Sequence, residues 1–131
     1  MKKLLFIILT SLCLVSNMAY ADNKQIDKAY HIKQSDIQVQ GVGKVIKVLK
    51  DDTKGSQHQR FLVKLPSNLT ILIAHNIDLA PRVADLKAGD AIEFYGEYEW
   101  NNKGGVVHWT HHDPRKKHKD GWLKHNGVIY Q

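Results

Sequence analysis

The chain has 131 residues, with 19 Lys and Arg against 13 Asp and Glu, eight His and one Cys. A formal charge of +6 with 43% hydrophobic residues excludes a multi-domain enzyme, a disulfide scaffold and an acidic disordered tail. What remains is one small basic domain that must be stabilised by its own core.

Residues 1–21 read as a secretory signal. Lys2 and Lys3 supply a basic start, Leu4 to Val15 an apolar centre, and Ala19-Tyr20-Ala21 a small-x-small cleavage site. The apolar centre falls short of the roughly 20 residues a membrane-spanning helix needs, so cleavage is expected and no transmembrane segment follows. Cys13 follows bulky Leu12, where a lipidated cysteine would follow a small residue. The expected mature chain starts at Asp22 and is periplasmic or secreted, in a bacterium. Without Cys13 it can use neither thiolate catalysis nor cysteine-ligated zinc. Its charge is segregated. Residues 22–100 balance 11 basic against 11 acidic side chains, whereas 101–131 carry Lys103, Arg115, Lys116, Lys117, Lys119 and Lys124 against Asp113 and Asp120. Five of the eight histidines lie in that last stretch as well.

Residues 22–36 form a polar lead-in, with Ile26, Ala29, Tyr30 and Ile32 at loosely helical spacing. From Ile37 the period becomes two, and Gly41 and Gly43 predict a strand that bends rather than lies flat. Asp51 to Gly55 is a turn, Gln57 to Leu65 a second strand, and Leu69 to Ala74 a β-branched run too short for a helix. Asn76 to Leu86 breaks the alternation, and Pro81 with Val83, Ala84 and Leu86 predicts a short helix there. Ala91 to Trp100 is the fourth strand, in which Ile92, Phe94 or Tyr95, Tyr98 and Trp100 compete for the interior. Asn101 to Gly105 is a hairpin turn and Val106 to Thr110 the fifth strand. Asn126-Gly127 predicts a tight two-residue hairpin, because both positions need positive φ. The expected fold is all-β: over residues 37–131, a five-stranded OB-like Greek-key barrel with one short helix and a C-terminal hairpin tail. A small β-sandwich is the rival.

The chemistry-bearing stretch is Val107 to Trp122. If the fifth strand runs through Thr110, His108 and Thr110 share one face and Trp109 and His111 the other. Pro114 then turns the chain away, since it cannot donate to a ladder. His108, His111, His112, Asp113 and His118 are candidate ligands for a divalent metal such as zinc, which imidazole and carboxylate both suit. Their spacing matches no established zinc signature. The plainer alternative is that these histidines hydrogen-bond backbone and carboxylates where a tail folds over the barrel end. Trp109 and Trp122 are candidate stacking platforms or core packing, and Arg115, Lys116 and Lys117 a candidate anion-binding run or a solvated turn.

The segment HWTHHDP, a basic spacer and then DGWLKHNGVIYQ resembles a family of small exported bacterial proteins known as a domain of unknown function. The matching positions are Gly105, His108, Trp109, His111, His112, Asp113, Pro114, Gly121, Trp122, His125, Gly127, Tyr130 and Gln131, within a resemblance running from about Gly41 to Gln131. It implies an exported single domain with a functional C-terminal motif, and no particular activity. Two functions compete. One is a binding protein for an anionic polymer or oligosaccharide (a glycan, or extracellular nucleic acid), contacted by Trp109, Arg115, Lys116, Lys117 and Trp122. The other is a metal-dependent hydrolase, a phosphodiesterase or nuclease, using the His/Asp cluster to activate water. His125 is expected to join His108, His111, His112, Asp113 and His118 in one patch at the barrel end.

Overall fold

The computed structural model describes residues 23–131, so the signal-like segment 1–21 lies outside the described residues. Seven strands follow one another: β1 (Ile37–Val48), β2 (His58–Lys64), β3 (Thr70–Asn76), β4 (Ala91–Glu99), β5 (Val106–His108), β6 (Trp122–His125) and β7 (Val128–Tyr130). The first five close a barrel in the order β1-β2-β3-β5-β4, with β4 returning to pair β1. All these pairings are antiparallel except β3–β5, which is parallel. This is the expected Greek-key barrel of the OB type.

Strict alternation builds the interior. Phe61 and Val63 of β2, Ile71 and Ile73 of β3, Ile92, Phe94 and Tyr98 of β4 and Val107 of β5 are all fully buried. Each such aliphatic or aromatic side chain contributes roughly 1.5–3 kcal/mol of burial. β4 thus resolves its own competition: Phe94 points in, and Glu93, Tyr95, Glu97 and Glu99 take the outer face. β1 serves two partners. Ile37 to Lys44 pair with β4, Lys44 to Val48 pair with β2, and the register slips between Val45 and Lys47. A Cβ on Gly43 would lie 2.6 Å from Val63 and 2.8 Å from the Lys64 carbonyl, so the bend depends on an absent side chain.

Among the described residues one short helix is present, in the loosely helical lead-in rather than at 76–86. After Asn76 closes β3, residues 77–86 form turns and irregular backbone rather than a helix, because side chains from neighbouring strands satisfy their backbone. The buried Gln59 amide donates to the Val83 carbonyl (3.1 Å) and accepts from the Val83 N–H (2.9 Å), while His75 Nε2 donates to the Pro81 carbonyl (2.9 Å). The helix, α1, spans residues 23–31, in the segment read as a polar lead-in. Ile26 and Ala29 enter the barrel core, and Asn23 clasps the N–H and C=O of Val42 at 3.0 and 3.1 Å. A Cβ on Gly41 would come 2.5 Å from Asn23 Oδ1 and 3.1 Å from Ile26, so this glycine admits α1 against the barrel. Trp100 is not inside the barrel. It stacks on Tyr30 and donates its Nε1–H to the Tyr30 carbonyl.

β6 continues along the β4 edge that β5 leaves, pairing Glu93 to Tyr95 after β5 has paired Glu97 to Glu99. Asn126 and Gly127 have φ of 49° and 80°, the geometry a tight hairpin demands. Leu123 and Tyr130 pack on the core, whereas Ile129 is 53% exposed rather than docked. Among the described residues no helix is long and apolar enough to cross a membrane.

Candidate functional site: a groove over strands 2, 3 and 5

Strand β5 ends at His108 because the next residue, Trp109, adopts a left-handed backbone (φ 56°). For a bulky side chain this conformation is strained. It also resets the alternation, so His108 and Thr110 do not share a face. His108 stays on the outer surface, and Thr110 turns inward, fully buried, with its hydroxyl 2.7 Å from His75 Nδ1. Burial lowers the pKa of His75 to about 4, against the opposing pull of the Pro81 carbonyl. The neutral ring donates from Nε2 to Pro81 and accepts at Nδ1 from Thr110, which ties β3 to the start of the C-terminal segment.

Between β5 and β6 the chain makes a closed loop, and Asp113 is its staple. Its carboxylate accepts the N–H groups of Arg115 (3.0 Å), Lys117 (3.0 Å) and His118 (2.7 Å). Those donors, that of His118 foremost, hold its pKa below the ordinary carboxylate value. Asp120 accepts the Asp113 N–H at 2.8 Å and lies 3.1 Å from His112 Nδ1. The Gly121 N–H then reaches the His111 carbonyl at 2.9 Å, and a Cβ on Gly121 would lie 2.0 Å from the Trp109 carbonyl. The loop can close this tightly only with glycine at that position.

The loop presses His118 flat against Trp109, with ring centroids 4.0 Å apart and planes at 9°. Beside this pair lies a cavity of about 650 Å³ lined by Leu79, Trp109, Asp113, Pro114, Arg115, Lys117 and His118. A second depression shares Leu79 and Trp109 with it, and a third shares His58 and His108 with the second. Together they cross the outer face of β2, β3 and β5, reaching Arg60 of β2 and Asp52 in the loop before it. In OB barrels the face of strands 2 and 3 with its adjoining loops is the usual ligand surface.

The structure distributes the sequence-derived candidates unevenly. Trp109, Arg115 and Lys117 line the large cavity; Lys116 is exposed and does not. Trp122 lies against Tyr95 (6.0 Å between centroids), outside the groove's lining, with Lys119 over the same tyrosine. Of the candidate metal ligands, His108 and His118 approach a common carboxylate, Glu97, each at 3.3 Å. His111 is nearly buried, its Nδ1 donating to the His112 carbonyl, and His112 turns to Asp120. Asp113 is committed to backbone N–H groups, and His125 is buried against Asp90 at 2.8 Å. These four do not join His108 and His118 in one cluster: among the described residues, the group with ligand atoms mutually within 4.8 Å is Glu97, Glu99 and His108.

Glu97 and Glu99 went unnoticed in the sequence. The signal was present: alternation along β4 puts both outward, and the register fixed by the Asn101–Gly105 turn sets Glu97 opposite His108. Burial, and then the neighbouring Asp36 carboxyl, raise the pKa of Glu99 to about 7. Burial lowers that of His108, with Glu97 pulling the other way.

A closed five-stranded OB-type barrel, carrying a groove on strands 2, 3 and 5 under a loop stapled by Asp113, is therefore the class of protein this is. The chain belongs to the family described as "Protein of unknown function (DUF3465)", which matches residues 7–131 and so extends well before the Gly41 at which the motif resemblance began. No curated protein matches the chain.

Proposed function

We propose that the protein is an exported binding module that holds an anionic oligosaccharide in this groove. The observation that carries the reading is the large cavity itself. About 650 Å³ lies within the size range of small-molecule sites, and one indole, a proline, an exposed leucine and two cations surround it. A pyranose ring offers an apolar face to Trp109, while its carboxylate or sulfate meets Arg115, whose planar guanidinium suits such groups. Asp113 does not oppose this charge freely, because three backbone N–H groups already compensate it. A glycan is favoured over single-stranded nucleic acid because binders of the latter stack successive bases on several aromatic rings. Trp109 is the one Trp, Tyr or Phe among the residues lining the groove. The signal-like residues 1–21 support export, which would bring the domain to anionic surface glycans.

The reading is tested with oligogalacturonate as the probe, titrated at increasing salt. Affinity should fall as salt rises and drop about tenfold in Arg115→Ala and in Lys117→Ala, with Lys116→Ala close to the parent chain. Salt-independent binding, or equal affinity in all three variants, would refute it.

A further inference from the structure

We propose that Glu97, Glu99 and His108, with His118 beside Glu97, bind a divalent transition-metal ion of the zinc class through the first three. The four residues come from two strands and the stapled loop, and the fold sets their approach. Glu97 and Glu99 are alternate outer residues of β4, and Glu97 is the register partner of His108. His118 arrives from the loop that Asp113 closes.

Three observations converge. His108 Nε2 has no accessible surface and makes no hydrogen bond, yet lies 3.3 Å from Glu97 Oε2 and 3.6 Å from Glu99 Oε1. His118 Nδ1 donates to the Lys119 carbonyl at 2.8 Å, and its Nε2 lies 3.3 Å from Glu97 Oε1. An imidazole tethered through its other nitrogen to a backbone carbonyl is the usual arrangement of a metal-bound histidine. Finally, bonds of about 2.0–2.1 Å in a tetrahedron separate ligand atoms by about 3.3–3.4 Å, close to the spacings found here. The Asp36 carboxyl beside Glu99 adds negative charge, which a divalent ion offsets more fully than one protonated imidazole.

The inference does not depend on the glycan reading, because the metal alone is the probe. The purified chain is stripped with chelator, then titrated with Zn²⁺ by calorimetry and with Co²⁺ by visible absorption. One equivalent should bind, with a Co²⁺ spectrum of tetrahedral type, and Zn²⁺ affinity should fall at least tenfold in Glu97→Gln and in His108→Asn. His112→Ala, altered at a histidine that faces Asp120, should bind as the parent does. Thermal melts establish that each variant is folded, and His118→Ala, on the loop, gives an additional variant should a strand position fail. Absence of stoichiometric uptake would overturn the proposal. So would an affinity equal to the parent's in Glu97→Gln and His108→Asn, or a loss confined to His112→Ala.

Discussion

The indole of Trp109 and the imidazole of His118 lie face to face, 4.0 Å between centroids, although Trp109 pays for its position with a left-handed backbone. The stack and the loop closure at Gly121 hold the ring at the cavity wall. Removing it with Trp109→Ala should weaken oligogalacturonate binding about 10- to 100-fold, from the roughly 1–3 kcal/mol that an aromatic platform contributes. Calorimetry on a variant with a preserved melt checks this, and an affinity within twofold of the parent would show that the indole is structural alone.

Asp113 predicts the dynamics of the same wall. In the parent chain the amides of Arg115, Lys117 and His118 should exchange slowly with solvent, since all three donate to one carboxylate. Asp113→Ala should accelerate exchange at these three amides together and leave the β2–β3 ladder unchanged. Hydrogen exchange followed by NMR reads both, and protection surviving at all three would deny Asp113 its role as staple.

His75 gives the fold an acid-sensitive point. Its pKa is about 4 when folded and about 6.5 when unfolded. The depressed value means that the unfolded chain takes up the proton first. The stabilising effect is complete above about pH 6.5, declines as pH falls toward 4, and amounts to roughly 3 kcal/mol in total. Urea melts from pH 7 to 4 should show that slope, and His75→Gln should lose most of it. An equal slope in that variant would assign the acid sensitivity elsewhere.

The bend of β1 rests on an absent side chain. Gly43→Val would place methyl groups where Val63 and the Lys64 carbonyl already stand, costing about 1–3 kcal/mol. An unchanged denaturation midpoint would mean that the strand has room it does not show.

Much of the barrel was legible because its residues obey one rule. Alternation from Ile37 to Val48, Gln57 to Leu65 and Ala91 to Trp100, with Asn-Gly and Gly-Gly turns, specifies strands and their order. The errors fall where side chains replace backbone partners. Gln59 and His75, both buried, cap the 76–86 segment, and no local pattern announces that a strand residue will do so. Asn23 likewise anchors α1 through Val42, which made a core element read as a polar lead-in. Of the site, Trp109, Arg115, Lys117 and His118 were visible by type. The left-handed Trp109 was not, and it separates His108 from Thr110 and leaves Glu97 and Glu99 as the neighbours of His108.

The most direct test of the groove as a glycan site is an NMR titration of the chain with oligogalacturonate. Saturable shifts should concentrate at Leu79, the Trp109 indole N–H, Arg115 and Lys117. Outside the groove's lining, Lys44 and Lys64 form a cross-strand pair of like charge, the natural competitor for any anion, and their amides should stay in place. Shifts that cluster at Lys44 and Lys64, or none that saturate, would contradict the account.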